Sequence, residues 1–121
     1  MATKTQGRRV WFFPDGDLPP PGNGEYKGHE SLIILNPNGK DAKIALTVYY
    51  PDRDPDELEV QTVGARRVRC IRMDHPIGTF RTPFGQYALK LESTAPVICQ
   101  MGRSDVRQPN LAFYTVMGFS G

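Results

Sequence analysis

A chain of 121 residues carrying 15 Lys and Arg against 13 Asp and Glu is sized for one domain and is nearly neutral, which excludes a whole-molecule field drawing it onto nucleic acid or a membrane surface. Eleven prolines and twelve glycines, with no long run of Ala, Leu, Glu and Lys at helical period, exclude a mainly helical protein and predict an all-β one. No apolar stretch approaches the roughly 20 residues a membrane-spanning helix requires, so the chain is expected to be soluble.

Residues 1–7 are polar and basic and read as a disordered terminus, leaving 8–119 as a single domain. No secretory apolar segment precedes the two cysteines, and Cys70 and Cys99 lie in apolar runs. They are expected to be reduced, buried thiols of a cytoplasmic protein. Arg8 to Phe13 reads as a first strand, with Val10, Trp11, Phe12 and Phe13 supplying bulk for a core or a subunit contact. From Asp15 to Gly28, through Pro19-Pro20-Pro21-Gly22-Asn23-Gly24, the chain reads as one long loop that either binds something or covers a sheet edge.

The stretch that organises the domain follows. Two apolar, β-branched runs, Leu32 to Leu35 and Ile44 to Tyr50, flank Asn36-Pro37-Asn38-Gly39, the pattern of a β-hairpin or an equivalent strand pair. In the second run Ile44, Leu46 and Val48 alternate with Ala45, Thr47 and Tyr49, so one face is apolar. Pro51 to Asp56 is an acidic turn whose Asp-x-Asp-x-Asp spacing lacks the Gly, the late Glu and the flanking helices of a calcium loop.

Leu58 to Val63 and Arg66 to Met73 read as neighbouring strands. In the second, Val68 and Cys70 share one face and Arg67, Arg69, Ile71 and Met73 the other, so at least two arginines are expected to project together from the outer face. They suit either an anion or a solvated pairing with Glu57 and Glu59. His75, beside Pro76 and without a second His or a Cys at ligand spacing, gives no metal signature. Phe84 to Leu91, Val97 to Met101 and Leu111 to Met117 bring the count to about eight short strands, which predicts a β-sandwich or jelly roll. The polar connection from Gly102 to Asn110 holds Arg103, Asp105 and Arg107, able to grip an anion or polyol or to stiffen a loop. No nucleophile-base pair, Gly-rich phosphate loop or metal-ligand spacing is present, which points to a binding or interaction module rather than an enzyme.

Several separated motifs recur together: Pro19 to Gly24, His29-Glu30 leading into Ile34-Leu35-Asn36, Val48-Tyr49-Tyr50 with Asp52, Ala65-Arg66-Arg67 with Arg72, then Gln100 and Arg103-x-Asp105-x-Arg107-Gln108. In this order and at these spacings the sequence resembles the sensory rhodopsin transducer family over about residues 7 to 119. The resemblance implies a single β-sandwich of jelly-roll type, a homotetramer and no enzymatic activity; from the residues themselves no cofactor or metal is expected. It implies a relay from a membrane-embedded sensory rhodopsin through protein contacts. It also raises a carbohydrate-like small ligand and, more distantly, a nucleic-acid partner. The polar residues within the motifs, His29, Glu30, Asn36, Arg66, Arg67, Arg103, Asp105 and Arg107, are the expected ligand or partner contacts, with Trp11 or Tyr50 as an aromatic wall. Independently of the resemblance, Phe12, Phe13, Phe113, Tyr114 and Phe119 are more aromatic surface than one small sandwich buries, which predicts a symmetric subunit contact.

Overall fold

The structure is a computed structural model that describes residues 5–108 and 111–121, so most of the expected disordered terminus, residues 1–4, lies outside the described residues. Those residues form nine strands and no helix: β1 (Arg8–Leu18), β2 (His29–Asn36), β3 (Ala42–Tyr49), β4 (Asp56–Glu57), β5 (Gln61–Val63), β6 (Arg67–Arg72), β7 (Gly85–Asp105), β8 (Ala112–Val116) and β9 (Phe119–Ser120). The all-β sandwich expected from composition is the observed architecture. Among the described residues no helix is long and apolar enough to cross a membrane.

The first sheet runs from β4 and β5 through β3, the first half of β7 and β1 to β9, all antiparallel. The second runs from β6 through β2 and the second half of β7 to β8. The 21-residue β7 belongs to both, which corrects the expectation of two strands, Phe84 to Leu91 and Val97 to Met101, joined by a connection. Its odd-numbered residues, Tyr87, Leu89, Leu91, Ala95, Val97, Cys99 and Met101, are buried throughout, so the strand keeps one inner face while it changes sheets. The change occurs where the partner register slips between Arg8 opposite Val97 and Val10 opposite Glu92. Pro96 sits at that irregularity, where a missing N–H costs no ladder bond.

β3 behaves as its alternation predicts: Ala42, Ile44, Leu46 and Val48 are buried and their neighbours face outward. Each such side chain stabilises the fold by roughly 1.5–3 kcal/mol through apolar burial. β2 contributes Leu32 and Ile34 to the same core, but β2 and β3 do not form the expected hairpin. β2 pairs with β6 and β7 in the second sheet and β3 with β7 in the first, so residues 37–41 cross between layers.

Three further expectations are corrected. Asp15, Gly16 and Asp17 belong to β1, which continues past Pro14 by a bulge between Phe13 and Gly16, so the irregular connection begins only after Leu18. In β6 the faces are reversed: Ile71 and Met73 are buried beside the arginine-bearing positions, while Val68 and Cys70 face outward. Arg69 accordingly reaches to the sheet edge, where it donates to the Thr62 carbonyl at 2.9 Å and to Gln61 Oε1 at 2.8 Å rather than to Glu57 or Glu59. Cys70 is therefore an exposed thiol, and only Cys99 is buried, its thiol pushed up to about 12 by burial; both are free.

Candidate functional site

At one end of the sandwich the β1 bulge brings its backbone over the ring of Tyr87, close enough that a Cβ at Gly16 would come within 2.8 Å of that ring. Glycine is the residue that permits this approach. Beneath it lies the Glu30 carboxylate, completely buried. It accepts from the Tyr87 hydroxyl at 2.5 Å, from the Asp17 N–H at 3.2 Å and from Arg103 Nε at 2.8 Å. Glu30 and Arg103 are directly opposite each other in the pairing of β2 with β7. Arg103, itself buried, donates from Nη1 to the Tyr114 hydroxyl at 2.9 Å and from Nη2 to the Asp15 carbonyl at 2.6 Å.

Both charges are thus paired and their remaining hydrogen-bonding capacity is used, the condition under which a buried ion pair is tolerated. The network takes Asp15, Asp17 and Tyr87 from the first sheet and Glu30, Arg103 and Tyr114 from the second, and so fixes the two layers to each other. Burial, reinforced by the Glu30 charge, pushes the Tyr87 phenol well above its ordinary value and keeps it a donor. Burial alone would lower the Arg103 guanidinium, but its hydrogen bonds to Tyr114 and Glu30 outweigh that and raise it.

The rim of this network is polar and aromatic. Tyr26 Oη lies 3.0 Å from Ser104 Oγ, and its ring is tilted over His29 with centroids 5.7 Å apart. His29 Nδ1 is 2.8 Å from the Lys27 carbonyl oxygen. The connection that carries Tyr26 is closed by the Gly28 N–H donating to the Pro21 carbonyl at 2.9 Å, and a Cβ at Gly28 would stand only 2.2 Å from the Pro20 oxygen. Outside the network Arg107 pairs with Asp105, and this hydrogen bonding holds the Asp105 carboxyl below its usual value.

The outer face of the second sheet is apolar toward the Asn36 end of β2. The register places Val68, Leu35 and Ile98 side by side across β6, β2 and β7, with Cys70, Ile33 and Gln100 as the next row. Val68 is 65% exposed, Leu35 40% and Ile98 43%, and Phe113 on the adjoining edge strand is 64% exposed. The expected excess of aromatic surface is present: Phe12, Tyr114 and Phe119 are also exposed, and only Phe13 of the five is buried.

The predicted contact residues do not converge on one place. His29, Glu30, Arg103, Asp105 and Arg107 gather at the network and its rim. Asn36 is at the far end of β2, about 20 Å away at the strand rise, opposite Arg67 in the ladder and hydrogen-bonded to Gly64 in the turn that carries Arg66. Tyr50 stands at the end of β3 in a cleft of about 240 Å³ with Pro14, Tyr49 and Gln86, with Arg53 stacked 3.8 Å above its ring. Burial, with help from the hydrogen bond to Asp56, pushes its phenol up to about 12. Trp11 is half-buried, stacks on Phe13 and donates Nε1 to the Val97 carbonyl at 3.0 Å. Sequence reasoning missed Tyr87, Tyr114 and the Asp15 carbonyl, because partners 57 residues apart or supplied by backbone leave no local pattern. It also missed the outward Leu35, Val68 and Ile98.

A family model described as the Anabaena sensory rhodopsin transducer matches residues 6–120. The chain belongs to the sensory rhodopsin transducer family. Among solved structures, one described as Thermotoga maritima 1070 superposes with a TM-score of 0.85 at 31% identity, covering 97% of both chains. The Anabaena sensory rhodopsin transducer superposes with a TM-score of 0.73 at 31% identity, covering 82% of this chain and 99% of its own. No curated protein sequence matches the chain.

Proposed function

We propose that this family member is a non-enzymatic cytoplasmic relay that works through protein–protein contacts, as a homotetramer, with a membrane-embedded sensory rhodopsin as its partner. The observation that carries the reading is the apolar row on the outer face of the second sheet, Val68, Leu35 and Ile98. Three apolar side chains exposed side by side across three strands suit an interface between subunits. Assembly through the Val68, Leu35 and Ile98 row, at the other end of β2 from His29, leaves the His29 and Tyr26 rim for the partner, backed by a network that holds both sheets in one arrangement. A carbohydrate-like ligand is the second reading, favoured by the cleft of Tyr49, Tyr50, Pro14 and Gln86, which combines aromatic rings with a planar amide.

Assembly is tested by light scattering on size-separated protein: the wild type is expected at four times the chain mass, and Val68→Glu with Ile98→Glu at the monomer mass. A double variant that stays tetrameric places the interface elsewhere. The relay is tested by binding to a detergent-solubilised sensory rhodopsin in the dark and under illumination. Light-dependent affinity that His29→Ala weakens about tenfold is the expected result, and absence of binding in both states overturns the relay reading.

A further inference from the structure

The end of the sandwich opposite the Glu30 network is a polar cleft of about 620 Å³. Its walls are the N-terminal segment before β1, the 37–40 crossing, the turn before β6 and the point where β7 changes sheets. Arg9, Lys40 and Arg66 line it and no carboxylate does. Among the described residues none of the three makes an ion pair. The carboxylate close to this end, Asp41, is engaged by the Ala65 N–H at 2.9 Å.

The walls are fixed before any ligand arrives. Asn38 donates its side-chain amide to the Pro96 carbonyl at 2.6 Å and to the Gln6 carbonyl at 3.2 Å, so it ties the N-terminal segment to the strand crossing. Its own carbonyl accepts from the Arg66 N–H at 3.1 Å. Arg66 is the one non-glycine residue with a positive φ, 55°, among the described residues. A side chain in this conformation is disfavoured for the backbone and persists where the surroundings hold it. The Arg9 guanidinium donates to the Thr94 carbonyl on the opposite wall.

We propose that this cleft binds a small organic phosphate, a phosphomonoester dianion held by Arg9, Lys40 and Arg66. Three unpaired cations call for an anion of more than one charge. Two guanidinium forks match tetrahedral oxyanions through paired N–H donors, and the Lys40 ammonium adds a point charge. The volume falls within the roughly 300–1,000 Å³ typical of small-molecule sites and exceeds what inorganic phosphate fills, and Pro37 and Pro96 supply apolar wall for the organic part. The site lies at the other pole from the rim and uses none of the rim residues, although Arg66 and Pro96 each stand two residues from Val68 and Ile98 of the proposed subunit contact.

The test is thermal unfolding and calorimetric titration with glucose 6-phosphate, AMP and glucose, against sodium chloride at matched ionic strength. A dose-dependent rise in melting temperature with a phosphomonoester, absent with glucose and with chloride, is expected by mass action. Whether glucose 6-phosphate or AMP gives the larger shift identifies the organic part, and either supports the site. Arg66→Gly is the decisive variant, because glycine accepts the positive φ. Its melting temperature without ligand is expected to equal or exceed that of the wild type while phosphomonoester affinity falls about tenfold or more, the size of a lost charge-assisted hydrogen bond. Lys40→Ala is expected to weaken affinity similarly. No shift, a shift reproduced by chloride, or a shift kept by Arg66→Gly overturns the proposal. So does binding of a DNA oligonucleotide without binding of either monoester, which would make this pole a nucleic-acid surface.

Discussion

Arg103→Ala is expected to lower the stability of the folded protein by about 3–5 kcal/mol, the range for removing one partner of a buried ion pair. The loss does not come from the attraction between Arg103 and Glu30 alone. Removing the guanidinium leaves the fully buried Glu30 carboxylate with only the Tyr87 hydroxyl and the Asp17 N–H, and it strips a donor from the Asp15 carbonyl and the Tyr114 hydroxyl. Urea unfolding followed by tryptophan fluorescence measures the effect, since Trp11 packs on Phe13 in the core. A double variant, Glu30→Leu with Arg103→Met, is expected to recover much of the loss, because it removes both charges and leaves apolar volume in their place. If instead the two single losses add, Glu30 and Arg103 act separately and not as a coupled pair.

That network also marks where reading the sequence reaches its limit. The motif containing Arg103, Asp105 and Arg107 is legible as a polar connection, and the pairing of Arg107 with Asp105 is the loop-stiffening pair that such a motif suggests. Arg103 differs only because Glu30, 73 residues earlier, lies opposite it in the β-ladder. The same physics explains the strand errors. β3 is readable because one of its faces is apolar and the other mixed, whereas Leu32 to Leu35 is apolar on both faces, so periodicity cannot say which partner it takes. In β6 the apolar residues Val68 and Ile71 fall on opposite faces, and the choice of the wrong one as inner reversed the arginines and hid the exposed Cys70. Pro96 reads as a break between strands. In a strand that bends from one sheet to the other it is the residue that tolerates the bend.

Asn36 holds the opposite pole as Arg103 holds the first. Its buried amide donates from Nδ2 to the carbonyls of Lys40, Val63 and Gly64 at 2.8, 3.2 and 3.2 Å, and its Oδ1 accepts from the Asn38 N–H at 3.1 Å. One side chain therefore satisfies the backbone of two turns, each of which crosses from one sheet to the other. Asn36→Ala leaves these groups without partners and is expected to cost about 3 kcal/mol, the penalty for a few unsatisfied buried polar groups partly relieved by water. Asn36→Asp separates the two halves of the effect, since it keeps the acceptor for Asn38 and loses the donors. Asn36 does not line the basic cleft, yet it sets the position of Asn38 and Lys40, which do. Asn36→Ala is thus expected to weaken phosphomonoester binding as well as stability, read by calorimetric titration at a temperature where the variant is still folded. Full affinity in a destabilised variant would mean that Arg9, Lys40 and Arg66 find the anion without the preorganised turn, and that Asn36 serves only to close the end of the sandwich.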